Sequence, residues 1–263
     1  MNSLVAVAYV PDTETRIKIA PDGKSIDESD VKWIVSPYDE YALEEALRIK
    51  EAKGAGTVTV VGVGPERTKT GLRECLARGS DGAIRIAADG LGEVDSLGVA
   101  RLLAGVIRTL PHDVVWMGNK GVGTDTQVLV PMLSELLDLP HVNLVTKLEW
   151  KDGAVLAHRE IEGAVEIVEM SLPGVIGATK GLNEPRYASL KGIMAAKKKV
   201  IAVKTPADAG VDAAAISGAA AHVRWTKLEL PPARQAVKLI PADDPAKAAT
   251  ELLRLLRDEA KVL

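Results

Sequence analysis

Residues 57–65 read Thr57-Val58-Thr59-Val60-Val61-Gly62-Val63-Gly64-Pro65. The first five are all β-branched, the class that packs best on a pleated surface. Gly62-Val63-Gly64-Pro65 then breaks the run and reads as a turn. Just upstream, Ser36 precedes Pro37, and Ala42, Leu43, Ala46, Leu47 and Ile49 recur at helical spacing up to Gly54. Ser offers an acceptor to the free N–H groups of a first turn, Pro fits the first helical position, and Gly closes a helix. Downstream, a second helical stretch runs to about Arg78 and stops at Gly79. Residues 57–65 are therefore a buried strand between two helices.

The same alternation extends outward. Leu4–Val10 is a continuous apolar run, Ala83–Ile86 a short strand, and Asp95 caps a third helix reaching Leu110. Val114–Met117 is a strand ending at Gly118. Strand and helix in strict turn imply a parallel sheet with helices on both faces. Ligands of such sheets lie at the carboxyl ends of the strands. The candidate loops are Ala8–Pro11, Gly62–Pro65 and Gly118–Gln127. Arg16–Ile19 alternates before the turn Pro21-Asp22-Gly23 and reads as a half-exposed ribbon.

The second half changes style. Leu148–Glu160 holds two strand-like runs around Asp152-Gly153, Ala164–Met170 adds a third, and Pro173–Thr179 is another apolar run. Residues 180–199 read as loop. From about Thr205 the chain is rich in Ala and Pro, and it closes with a helix over Pro245–Leu263 that needs a surface for its leucines.

Composition narrows the function classes. Hydrophobic residues make up 47% and charged residues 26%, an ordinary folded balance. Phe is absent, so the core rests on Val, Ile, Leu and Ala. A net charge of −3 gives no basis for a nucleic-acid or membrane partner. Cys75 is the only cysteine, which excludes an intrachain disulfide and suits a reducing compartment. Met1-Asn2-Ser3-Leu4 runs straight into the first strand without a charged or amphipathic leader, which reads as cytoplasmic.

Two loops carry ligand signals. Gly62-Val63-Gly64-Pro65 lacks the third glycine of the dinucleotide fingerprint and is weak alone. Gly118-Asn119-Lys120-Gly121-Val122-Gly123-Thr124-Asp125-Thr126-Gln127 follows a strand and precedes a helix. Its glycines let N–H groups converge on a phosphate or ribose, although the Gly-Lys-Ser/Thr ending of a P-loop is absent. The alternative for this segment is a polar surface loop. A helix starting at Thr126 would be kinked by Pro131, whereas a start near Val130 would not. His112, His141, His158 and His222 show no metal spacing, Cys75 reads as a core residue, and no catalytic constellation stands out. Lys197-Lys198-Lys199 reads as a solvated face.

Gly181-Leu182-Asn183-Glu184-Pro185-Arg186-Tyr187-Ala188-Ser189-Leu190-Lys191-Gly192-Ile193-Met194-Ala195-Ala196-Lys197-Lys198-Lys199 closely resembles the signature of electron-transfer flavoprotein beta subunits. Leu4–Val7, Ser36-Pro37 with Ala42–Ala46, Val63-Gly64-Pro65, Cys75-Leu76-Ala77 and Arg159–Gly163 match in the same order. The resemblance covers residues 4–200 well and the remainder loosely. It implies a Rossmann-like α/β fold, similar to adenine-nucleotide hydrolases, over residues 1–200, with a recognition loop at 183–199. Residues 201–263 would be a C-terminal arm and helix packing on a partner. By the same resemblance that partner would be an alpha subunit holding a redox-active FAD, and the beta chain would bind AMP. The pair would carry electrons from acyl-CoA and related dehydrogenases to a membrane quinone oxidoreductase, as a carrier and not an enzyme.

The resemblance also implies site residues. Ala6, Ser36, Val63, Gly123, Thr124, Asp125, Thr126 and Gln127 map onto the nucleotide pocket. Leu190 maps onto the anchor that enters a dehydrogenase pocket, with Tyr187, Ile193 and Met194 around it. Glu160 and Thr13 map onto positions that face the FAD domain, Thr13 standing where many members have Tyr. Val128 and Leu129 depart from the family's polar loop end and offer no side-chain donor to a phosphate. Asp125-Thr126-Gln127 with Pro131 loosely matches electron-bifurcating members, which place a second FAD in this pocket. A stand-alone adenine-nucleotide-binding α/β protein is the other reading; it would need neither the 183–199 signature nor the long tail.

Overall fold

The computed structural model describes residues 1–233 and 236–263. The chain forms two compact units, Met1–Thr226 and Lys227–Leu263. Residues 201–226, assigned above to the arm, thus belong with the sheet unit. They add a strand to it and bury Ala209 and Ile216 in its core.

The strands are β1 (Ser3–Ala6), β2 (Tyr9–Pro11), β3 (Trp33–Val35), β4 (Val58–Gly64), β5 (Gly82–Ala87), β6 (Val114–Gly118), β7 (His141–Lys151), β8 (Ala154–Ile161), β9 (Ala164–Ser171), β10 (Gly174–Ala178) and β11 (Ala202–Lys204). The helices are α1 (Pro37–Lys53), α2 (Thr68–Arg78), α3 (Ser96–Ile107), α4 (Leu129–Leu137), α5 (Leu190–Lys198) and α6 (Pro245–Arg254). Among the described residues nine strands form one sheet in the order β11-β5-β4-β1-β6-β10-β7-β8-β9. All neighbours from β11 to β7 are parallel, and β8 and β9 continue as an antiparallel meander.

The period-two pattern of the strands divides the core. Val5, Val58, Val60 and Trp116 pack on one face with Leu43 and Leu47 of α1 and Leu72 and Cys75 of α2. Leu4, Ala6, Val61, Val115 and Met117 pack on the other with α3 and α4. Cys75 is fully buried, which pushes its thiol up to about 12 and leaves it inert.

Several sequence expectations are corrected. Arg16–Ile19 makes only one bridge, Ile19 to Ile26, and the antiparallel ribbon after β1 is β2 with β3. Residues 190–198, read as loop, are helix α5. Its N-cap Ser189 accepts a 3.0 Å bond from the Gly192 N–H. Ser36 precedes α1 but its hydroxyl makes no cap bond. α3 ends at Ile107, short of Leu110, and α6 ends at Arg254 before a wider turn over Leu255–Glu259. Of the two starts the sequence left open for α4 the later one holds: the helix begins at Leu129, so Pro131 falls in the first turn and no kink arises.

Candidate functional site

The sheet turns back on itself beside β1. From β1 the chain adds β4 and β5 on one side, then crosses to place β6 on the other. Ligands of open α/β sheets occupy the crevice at this switch point. A cleft lies there, with about 540 Å³ of empty space counting its open mouth. The enclosed part is only about 90 Å³, below the range of about 300–1,000 Å³ usual for ligand sites, so a ligand must extend into the mouth or widen the cleft.

Ala6, Val61, Val63 and Met117 form the strand-end walls, Val99, Leu103 and Leu129 close the α3 and α4 side, and Ser36 and Asp39 come from the start of α1. Asp39 is the hinge of this arrangement. Its carboxylate accepts the N–H of Ala8 and the N–H of Gly118, each at 2.8 Å, and so ties the ends of β1 and β6 together. Burial pushes its pKa up to about 6, against the pull of the two N–H donors and of the Ser36 hydroxyl beside it. Gly118 must lack a side chain, because a Cβ would lie 2.7 Å from the Asp39 carboxylate.

The loop after β4 is fixed separately. Buried Arg85 donates to the carbonyls of Gly64 and Pro65 at 3.1 Å and pairs with Glu66 and Asp89. Gly64 has φ 158°, and a Cβ there would strike the Thr68 hydroxyl. The Val63 wall therefore stands on a locked turn.

Two buried polar atoms at the cleft make no hydrogen bond of good geometry among the described residues: Ser36 Oγ, which lies beside the Asp39 carboxylate, and Asn119 Oδ1. Both residues line the cleft, exposed by 1% and 4%. Leaving such atoms unpaired is costly, so the cleft suits a ligand that brings hydrogen-bonding groups. Val128 gives α4 no side-chain cap, so its first N–H groups also lack a side-chain acceptor.

Of the residues mapped to this pocket, Ala6, Ser36 and Val63 line the cleft. Gly123, Thr124, Asp125, Thr126 and Gln127 do not. They form an exposed turn in which Asp125 N–H donates to the Gly121 carbonyl and Gly121 N–H to the Thr126 carbonyl. Asp39, Asn119 and Lys120 take their place at the wall. Their loop was legible as a ligand signal, but Asp39 was not, because its partners lie far away in sequence.

A second surface surrounds α5. Arg186 grips α1 by donating to Glu44 at 2.8 Å and to Glu51 at 2.5 and 2.9 Å, which raises its pKa. Asn183 donates to the Tyr41 carbonyl and to Glu45, both at 3.0 Å. At the far end, Arg73 of α2 donates to the carbonyls of Ala196 and Lys199, and Lys199 donates to the Ser80 carbonyl. On this mount Tyr187 is 94% exposed, Leu190 79%, Met194 55% and Ile193 41%. Glu160, on β8, and Thr13, in the turn after β2, are also exposed.

The electron transfer flavoprotein domain model matches residues 24–209. A Bacillus subtilis protein named electron transfer flavoprotein subunit beta is 40% identical over the whole of both chains. Proteins of the same name from Bradyrhizobium diazoefficiens and Mus musculus are 36% and 34% identical, covering 100% of both chains for the first, and 97% of this chain and 99% of the relative for the second. The chain belongs to the electron transfer flavoprotein beta-subunit family. A beta subunit implies an alpha-subunit partner and a place in electron transport. Among the described residues no helix is long and apolar enough to cross a membrane, and no group of His, Cys, Asp and Glu is arranged to hold a metal ion.

Proposed function

We propose that this chain is the docking and nucleotide-binding half of an electron carrier. It pairs with an FAD-bearing alpha subunit, receives acyl-CoA and related dehydrogenases, and hands electrons on to a membrane quinone oxidoreductase, acting as a cytoplasmic carrier and not as an enzyme. One observation carries the docking role: four large apolar side chains stand exposed on a segment clamped at both ends by charged hydrogen bonds. Exposed apolar clusters of this kind mark contact sites. A rigid mount loses little freedom on docking, which suits a brief encounter. Glu160 and Thr13 are assigned to the side that meets the FAD domain, and residues 227–263 to the partner's surface.

The cleft at the β1/β6 switch takes AMP in this reading. Ser36 Oγ and Asn119 Oδ1 meet its hydroxyl and amine groups, and the α4 start meets its phosphate. Gly123–Gln127 do not line the cleft, so in this reading they would meet the nucleotide only from the mouth. Co-expression with an FAD-binding alpha subunit gives a yellow one-to-one complex, and denaturing it releases one FAD and one AMP, identified by mass. A colourless chain that ignores its partner contradicts the carrier role. Two FAD and no AMP would instead assign the cleft to a second flavin.

A further inference from the structure

α2 and α5 touch at Gly192, where a Cβ would collide with the Ala77 carbonyl oxygen. An open groove lies beside that contact, with about 1,150 Å³ of empty space counting its mouth. One wall is a single face of α2, since Thr70, Glu74, Ala77 and Arg78 recur at helical spacing. Tyr187, Ile193 and Ala196 stand on the other. From Lys69 to Arg78 the α2 face is about 14 Å long, at about 1.5 Å per helical residue. That is room for about four residues of extended chain.

Glu74 is the polar group this groove leaves unserved. It is half-buried, and the burial pushes its carboxyl above the usual carboxylate range; Arg78 pulls it back and Glu40 adds to the rise. Among the described residues no hydrogen bond to Glu74 offsets that burial. The two guanidinium groups beside it are committed elsewhere. Arg78 donates to Glu40, and Arg73 donates to the carbonyls of Ala196 and Lys199. A partly buried acceptor without a donor is costly, and a ligand that supplies the donor recovers that cost.

We propose that the groove between α2 and α5 receives an extended segment of the donor dehydrogenase, which gives Glu74 an uncharged N–H from its main chain or from a carboxamide side chain. This rests on the docking reading above and adds that the contact runs both ways: Leu190 enters the partner, and the partner enters the groove. Continuity carries the choice of partner. Tyr187 and Ile193 line the groove and also belong to the exposed apolar cluster around Leu190, so a body seated on that cluster covers the groove mouth. Charge carries the choice of donor. Lys69, Arg73, Arg78 and Lys197 also line the groove and repel an incoming Lys or Arg. An incoming acid would have to sit against Glu74 itself. A neutral N–H meets neither obstacle.

The test uses the assembled heterodimer and an acyl-CoA dehydrogenase, and reads KM and turnover for the carrier. Leu190→Ala, the reference for docking, raises KM. Glu74→Met raises KM about tenfold, as loss of a hydrogen bond to a charged group should, with turnover and flavin spectrum unchanged. Its unfolding midpoint stays level or rises, because a partly buried charge has been removed. Glu74→Gln keeps an acceptor and restores most of the lost affinity. Thr70→Trp, at an exposed position, fills the groove and also raises KM. An unchanged KM in Glu74→Met or in Thr70→Trp, beside a raised KM in Leu190→Ala, overturns the groove and leaves the docking face standing. A Glu74→Gln variant as impaired as Glu74→Met overturns the uncharged donor. A lowered unfolding midpoint in Glu74→Met makes Glu74 a structural residue and overturns the proposal as well. If KM is unchanged in all of them, Leu190→Ala included, the docking reading itself fails.

Discussion

Asp39 sits where two demands meet. Its carboxylate joins β1 to β6, yet it is buried, so folding takes a charge out of water. The folded pKa of about 6 lies above the ordinary 3.8. Between those values the unfolded chain is ionised while the folded chain keeps the proton, so this group's contribution to stability falls as pH rises through the window and is level above it. At neutral pH Asp39 is ionised and accepts both N–H groups. Asp39→Asn turns an NH₂ donor toward one of them, which costs about 1–3 kcal/mol in urea unfolding at pH 7. The gap between wild type and variant narrows as pH is raised from about 4 to about 6; a constant gap would contradict the assignment. In the sequence Asp39 reads only as an acid in the first turn of a helix, a common place for one. Its partners are 31 and 79 positions away, and no local pattern announces them. Ala6, Ser36 and Val63 were reached through the family resemblance, and in the structure each lies at or just past the end of a strand.

At the scale of elements, strongly apolar segments were easiest to read. β1, β4 and β6 and helices α1 to α3 all bury a continuous face, and periodicity detects burial. α5 buries only Ala196 and so shows no such face. It is a helix because Ser189 caps its start, Lys197 and Lys198 suit its end, and α2 grips it through Arg73. Those are polar signals scattered over distant segments. Gly192 records how closely α5 approaches α2, since a Cβ there would collide with the Ala77 carbonyl oxygen. Gly192→Ala pushes α5 off its seat and costs about 1–3 kcal/mol of stability. It also lowers the rate of electron acceptance, because the apolar tips shift with the helix. A variant with native stability and native rate would show that the approach is loose.

For the whole molecule, the parallel half was legible and the order of its last strands was not. Neighbours in sequence usually become neighbours in space. Here β10 inserts between β6 and β7 and carries the meander to the sheet edge. The run Pro173–Thr179 looks like any other short apolar strand, so nothing local distinguishes that position. In the Lys227–Leu263 unit the leucines of α6 are left without a surface, and the helix buries no residue. A helix of that length is marginal by itself, and an amphipathic one gains most of its stability from a surface to cover. The chain is one half of an assembly with an alpha subunit, and the cleft at the β1/β6 switch and the exposed α5 face both belong to its sheet unit. The most direct test is electron delivery from a donor dehydrogenase to the assembled heterodimer, compared between wild type and Leu190→Ala. Removing a central apolar anchor costs about 1–2 kcal/mol or more of binding. The KM for the carrier should therefore rise about tenfold, with its flavin spectrum unchanged. Equal KM and equal turnover for every donor tried would contradict the docking role of residues 183–199.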